Sequence, residues 1–371
     1  MKLRLSSCSS LARIVLITHV AIGCGPSGSA ISGTQGTGGG GATAGDTSVG
    51  GTGDNVGGTG TSANPSTGGA GGSGAGNSTG GARPTGGAPT NGGSKATGGS
   101  PPTGGTPGTG GTPIITCNSN VTSVGCTPGQ MSQTGTLAGQ YGTFNATIGN
   151  KQYFFQVNEW NSSASQSMSY GGSFFFKMTQ QQATVSSSGG PAGYPSVFIG
   201  ANSNHTTSGS GLPKQVSALG TVLTTWNWAD NGNIASSSSI FNAAYDVWFS
   251  TNAGGEPSAS GPSGGYLMVW YHAQGCQPVG TITDAGHTVN GVPGCWDVWT
   301  GTNGGRPVIS YKRQGPVQSL GFDLNLFIKD ALAHYPNYMK SNWYLTNIFS
   351  GFEIWSGGVN LQSTSFCAEV N

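Results

Sequence analysis

Apolar and polar positions alternate with a period of two along most of the chain beyond residue 150. In the stretch GGYLMVWYHAQG (264–275), Tyr266, Met268, Trp270 and His272 fall on one face of a strand and Leu267, Val269 and Tyr271 on the other. A strand with aromatics on both faces packs one side into a core and offers the other to something else. Similar runs, rich in β-branched and aromatic residues, recur between Gly, Ser, Pro and Asn turns. They are Gln152–Val157, Gly172–Met178, Pro195–Ile199, Leu219–Trp226, Tyr245–Ser250, Cys295–Trp299, Val308–Lys312, Trp343–Ile348 and Gly351–Trp355. Only Asp323–Tyr335 has a helical period, with Leu324, Phe327, Ile328, Ala331, Leu332 and Tyr335 on one side and Asp323 placed to cap the start. Many short strands and one helix predict an all-β fold, a jelly-roll β-sandwich of two packed antiparallel sheets with a concave cleft on the outer face of one sheet.

The first third of the chain is different. From about Ser29 to Pro113 it is nearly all Gly, Thr, Ser, Ala and Pro. Such a stretch has too little apolar surface to offset the entropy of ordering, so a disordered linker is expected over 25–113, with an end-to-end distance of about 50 Å. The folded domain is then expected over 114–371. Only 7% of residues are charged and the net charge is +1, which argues against a nucleic-acid partner.

At the N-terminus, Lys2, Arg4 and Arg13 precede a short apolar run, Ile14 to Ile22, that is too short to span a bilayer. The run ends Ala21-Ile22-Gly23-Cys24 and resembles a bacterial lipoprotein signal over residues 1–24, apart from Ala21 where leucine or valine is usual. That resemblance implies export and lipidation at Cys24; the alternative is an ordinary secretory signal with an incidental cysteine. Five of the seven cysteines lie in the folded part. In an oxidising compartment, Cys276 with Cys295 reads as a staple across a hairpin and Cys117 with Cys126 as a tie at the start of the domain. Cys367 is then left over, or displaces one of that first pair. No Cys/His spacing suits a structural zinc, so no metal or other cofactor is expected.

Ten carboxylates follow the linker, and most stand beside turn residues or in the helix and read as solvated. Two sit inside apolar strands. Asp246, in NAAYDVWFS, shares a face with Trp248, while Tyr245, Val247 and Phe249 face the other way. Glu353, in SGFEIWSGG, shares a face with Trp355, while Phe352 and Ile354 point to the core. An acid beside tryptophan on a strand face suits a sugar cleft. The indole stacks on a pyranose ring, and an apolar wall raises the carboxyl pKa toward the range of a proton donor. The plainer reading is that each acid accepts buried hydrogen bonds and fixes the sheet.

YPSVFIG, AAYDVWFS, CWDVWTG, FDLNLFIKDAL, WYLTNI and GFEIWSGGVNLQSTSF, in this order within residues 150–371, together resemble glycoside hydrolase family 12. The resemblance implies a β-jelly-roll endoglucanase or xyloglucanase that retains anomeric configuration. It also implies roles: Glu353 as general acid/base, Asp246 as the supporting aspartate, and Met268 and Trp270 as residues of the nucleophile strand. Asn158 and Trp160 in VNEWN, with Trp226 and Trp228 in WNW and with Trp355, are implied sugar contacts. QPVG (277–280) is implied to lie across the cleft.

One position departs from the pattern. The family's nucleophile strand begins Glu, aliphatic, Met, aliphatic, Trp, whereas here it begins Tyr266-Leu267-Met268-Val269-Trp270. A retaining enzyme of this kind needs two carboxyl groups about 5–5.5 Å apart. Three repairs are open: Tyr266 attacks with Asp246 as its base, Asp246 activates a water, or Glu256 reaches in from the preceding loop. Two functional classes follow. One is an exported endo-acting β-1,4-glucan hydrolase, monomeric and held to a membrane only through a lipid at Cys24; the other is a β-glucan-binding protein that has lost turnover.

Overall fold

The computed structural model describes residues 117–202, 205–254 and 261–371. The expected signal and linker, Cys8, Cys24 and Glu256 lie outside the described residues. In chain order the strands begin with β1 (Gly135–Ala138), β2 (Thr143–Ile148), β3 (Lys151–Gln156), β4 (Gln166–Gly171), β5 (Phe174–Gln181) and β6 (Ser196–Asn202). Next come β7 (His205–Thr206), β8 (Lys214–Gln215), β9 (Val222–Ala229), β10 (Ile240–Ser250), β11 (Gly265–Gln274) and β12 (Thr281–His287). The chain ends with β13 (Trp296–Asn303), β14 (Arg306–Arg313), β15 (Ser319–Asp323), helix α1 (Leu324–His334), β16 (Tyr344–Ser356) and β17 (Gln362–Val370).

These strands form two sheets. The smaller has the order β1-β4-β5-β17-β9-β15, and the larger β12-β13-β14-β11-β10-β16-β6-β3-β2, with β7 and β8 attached at its side. Pairing is antiparallel except between β11 and β14, which run parallel. The all-β sandwich expected from the alternation is what the chain adopts.

The inner faces meet in one large aromatic core. Trp226 of β9 reaches across to the larger sheet, its ring 5.7 Å from Tyr245, 5.4 Å from Tyr271 and 5.6 Å from Phe352. Each such ring removes about 150–250 Å² from water, so this contact holds the layers together. The alternation assigns the faces of β10 and β11 correctly: Tyr245, Val247, Phe249, Leu267, Val269 and Tyr271 all enter this core.

His272 departs from the expected face. The β10–β11 register slips between Ala243 and Ala244, so that Ala243 pairs His272 while Ala244 pairs Trp270. A bulge of this kind puts two successive side chains on the same side. His272 follows Tyr271 inward and packs 5.3 Å from Phe241 and 5.9 Å from Trp228.

The runs expected as separate strands at 343–348 and 351–355 are one continuous strand, β16. Gly351 does not break it. A Cβ there would stand 2.4 Å from the Pro195 carbonyl, so glycine is required by the close approach of the neighbouring backbone.

The disulfides also differ from expectation. Cys117 pairs with Cys295 and Cys126 with Cys367, and Cys276 is free. Cys276 and Cys295 cannot staple a hairpin because β14 lies between β11 and β13. The leading segment instead runs from one sheet to the other. Asn118 bridges Gly294 beside β13, and the Cys126 carbonyl accepts from Thr225 Oγ1 on β9.

Helix α1 begins where expected. Asp323 caps it by accepting from the Asn325 N–H at 3.0 Å, and its carboxylate also accepts from Val222 N–H. Three residues of the helix and its end meet β12 through His287. Its Nδ1 lies 2.9 Å from Asp284 and its Nε2 2.9 Å from Asp330, which also accepts from the Tyr311 hydroxyl at 2.8 Å. His334 stands 3.8 Å from Asp330, and the Tyr335 hydroxyl reaches Asp284. The hydrogen bond to Asp330, the charge there and the pull of Asp284 raise the His287 pKa against a smaller opposing effect of burial. Asp330 is therefore a half-buried structural partner and not the solvated helix acid expected from sequence.

Candidate active site

The outward face of the larger sheet carries a second aromatic cluster. Ala244 and Trp248 of β10, Tyr266, Met268 and Trp270 of β11, Phe349 and Trp355 of β16, and Tyr194 before β6 belong to it. Strand alternation places those of β10, β11 and β16 there, because their neighbours in sequence fill the inner core. Trp160, Val185, Cys276 and Val279 pack against this cluster, bringing the segments around 160, 185 and 276–279 onto the face. Val279 thus holds the 277–280 loop against this aromatic face.

Asp246 and Glu353 are the carboxyl side chains of the three central strands, and both belong to this face. Glu353 is 2% exposed and Asp246 5%. Glu353 is paired across strands with Asn242, and the two are joined twice. Asn242 Nδ2 donates to Glu353 Oε2, and the Glu353 N–H donates to Asn242 Oδ1 at 3.1 Å. Burial raises the Glu353 pKa well above the ordinary carboxylate value. The Asn242 bond opposes this in part, and the nearby Asp246 and Cys276 add to it.

Asp246 accepts from Trp248 Nε1 at 2.7 Å through Oδ2, while Oδ1 is buried with no hydrogen-bond partner. Burial pushes its carboxyl up to about 7, against the lowering effects of the Trp248 bond and of the Val247 backbone N–H. Tyr194 stands near both acids. Its hydroxyl donates to the Ala244 carbonyl at 2.8 Å, and its own pKa is raised by burial and by both carboxylates. This is the arrangement of a protonated acid beside a second acid that ionises near neutrality.

Tyr266 pairs with Trp248, and their rings meet edge to face at 5.5 Å. It is buried, as are Met268 and Trp270, whose Nε1 faces Met268 Sδ at 3.5 Å. Trp355 Nε1 donates to the Gly189 carbonyl, and Val185 N–H donates to the Trp355 carbonyl, so residues 185–189 line this end of the site. Asn158 takes a left-handed φ of 51° and turns its amide toward the Tyr194 carbonyl at 3.4 Å, next to Trp160.

Two implied sugar contacts are not on this face. Trp226 and Trp228 belong to β9 of the smaller sheet and point into the inner core, where Trp226 Nε1 donates to Ser363 Oγ and Trp228 Nε1 to the Val317 carbonyl. With their indole faces packed by protein, neither can stack on a sugar. The alternation of VLTTWNWA puts both tryptophans on one face, but only the sheet assignment says which face is inward.

Sequence reasoning missed Asn242 and Tyr194. Asn242 was legible in principle, since it stands four residues before Asp246 on the same face of β10. Tyr194 lies outside any strand, and nothing local marks it. Glu159, which reads as a turn acid, is instead fully buried between Asn158 and Trp160, and burial pushes its carboxyl up to about 7. Among the described residues no group of histidine, cysteine and carboxylate side chains could hold a metal ion.

Residues 151–371 match the family profile described as glycosyl hydrolase family 12. A probable cellulase of Mycobacterium tuberculosis is 30% identical over 166 residues, 44% of this chain and 99% of its own length. A probable xyloglucan-specific endo-beta-1,4-glucanase of Aspergillus terreus is 32% identical over 167 residues, which cover 41% of this chain and 57% of that protein. Among solved structures, the endoglucanase Cel12A of Rhodothermus marinus is 30% identical with a TM-score of 0.56, covering 64% of this chain and 99% of that one.

Proposed function

The chain belongs to glycosyl hydrolase family 12, and on that premise we propose that it is an endo-acting hydrolase of β-1,4-glucans with Glu353 as its general acid. The observation that carries this is the state of Glu353. A carboxyl group held protonated by burial, fixed in place by Asn242 and set on an aromatic face has the properties of a proton donor to a glycosidic oxygen. The cellulase and endo-beta-1,4-glucanase names of the relatives supply the substrate class. In this reading the half-buried Trp160 meets the sugar, and the buried Asn158, Met268, Trp270 and Trp355 form the floor beneath it. The protein is exported and acts as a monomer, tethered by a lipid at Cys24; the two disulfides support an oxidising compartment.

A second reading, a β-glucan-binding protein without turnover, is favoured by Tyr266 at the position of the family nucleophile. Against it, the chain keeps both Asp246 and Glu353 on this face and fixes Glu353 with Asn242, for which a pure binder has no evident use. Reducing-sugar release from carboxymethyl-cellulose and xyloglucan by the full chain separates the two. Activity in the parent that disappears in Glu353→Gln supports the hydrolase. An inactive parent, with turnover appearing in Tyr266→Glu, establishes the binder.

A further inference from the structure

We propose that Asp246 is the general base of this site and activates a water, so that the chain inverts anomeric configuration within a family that retains it. The inference rests on the hydrolase reading above and adds the identity and chemistry of the second group.

Three observations carry it. First, β10, β11 and β16 hold no carboxylate besides Asp246 and Glu353, and the expected nucleophile position is a phenol packed against Trp248. Second, Asp246 has one oxygen committed to Trp248 and one, Oδ1, buried and unpartnered. A buried oxygen left without a donor is costly, and a bound water would relieve that cost. The Trp248 bond fixes which oxygen is left for it. Third, the acids are offset along the sheet. Glu353 is level with Asn242, and Asp246 is four residues further along β10, about 13 Å of strand. They nonetheless sense each other, since the charge of Asp246 raises Glu353. Between them on that face of β10 stands Ala244, whose carbonyl accepts from the Tyr194 hydroxyl. With the acids four residues apart along the sheet and not side by side, a water held at Asp246 Oδ1 takes the place of the direct attack that a nucleophilic carboxylate makes.

The step balances with water as the only co-reactant. The water oxygen forms a bond to the anomeric carbon on the face opposite the leaving group, and its proton passes to Asp246 Oδ1. The bond from the anomeric carbon to the glycosidic oxygen breaks, its electron pair stays on that oxygen, and Glu353 supplies the proton. Asp246 then returns a proton to solvent and Glu353 takes one back. Burial raises both carboxyls, that of Asp246 to about 7 and that of Glu353 well above the ordinary carboxylate value, which brings a base and a proton donor toward neutrality.

The test is proton NMR of the full chain hydrolysing a soluble β-1,4-glucan oligosaccharide, following which anomer appears first, beside the variant Asp246→Asn. The α-anomer is expected first, and Asp246→Asn, which keeps an oxygen for Trp248, is expected to lose about 100- to 10,000-fold in kcat. Circular dichroism and the melting temperature establish that the variant is folded. Appearance of the β-anomer first would overturn the inference and leave the hydrolase reading standing. So would an Asp246→Asn rate within tenfold of the parent, or retention that is abolished in Glu256→Gln or Tyr266→Phe. A parent with no turnover on any β-1,4-glucan would overturn both.

Discussion

Replacing His287 by leucine tests how the helix is held to the larger sheet. The change removes both ring nitrogens from between Asp284 and Asp330 while keeping an apolar side chain of similar bulk. On the Asp330 side the partners are shielded, with side-chain exposures of 13% and 9%. A charge-assisted hydrogen bond of this kind contributes about 1.5–3 kcal/mol. Asp284 is 46% exposed, so that half of the bridge counts as a surface pair worth about 0–1 kcal/mol. Tyr311 remains to satisfy one Asp330 oxygen, which limits the loss. The sum is roughly 2–3 kcal/mol, or about 4–12 °C in melting temperature for a domain of this size.

The pH dependence has a definite sign. The folded-state pKa of His287 is raised above its unfolded value of about 6.5. Its stabilising effect is therefore complete below about pH 6.5 and is lost as pH rises through the folded value. Thermal melts of parent and His287→Leu, with disulfides intact, should differ most at about pH 5.5 and converge under alkaline conditions. A gap that is the same at both ends, or smaller than about 1 °C at the acid end, would refute a charged bridge.

Two further substitutions separate core from cleft and examine the acid. Trp226→Ala should cost about 3–5 kcal/mol of stability and leave KM for soluble β-glucan unchanged, because the indole packs the inner core; a raised KM with an unaltered melting temperature would return Trp226 to the sugar path. Asn242→Ala removes the hydrogen bond that holds the Glu353 pKa down, so the alkaline limb of the kcat/KM profile should move to higher pH. A limb that stays in place or moves down would show that Asn242 does not act on the acid.

How much could be read without the tertiary structure depends on the range of each signal. Alternation is a property of the strand itself, so the faces of Asp246, Glu353, Met268 and Trp270, and the inward turn of their neighbours, were legible from residue order. The helix and its Asp323 cap were legible for the same reason, since the cap bond spans two residues. The missing nucleophilic carboxylate at Tyr266 also needed only the sequence and the family pattern that it departs from.

Other features depend on which strands become neighbours, and no local pattern carries that information. Trp226 and Trp228 alternate as any strand pair would, and only the packing of β9 over β10 and β11 turns them inward. Cys276 and Cys295 are near in sequence, but β14 is inserted between their strands, and Cys295 closes instead on Cys117 from 178 residues away. One bulge reverses His272, and Asn242 becomes the partner of Glu353 across 111 residues. The chemistry of the two acids belongs to this second group. Their residue types and faces are written in the strands, but their raised pKa values come from burial and, for Glu353, from the nearby Asp246, which exist only once β10 and β16 are paired.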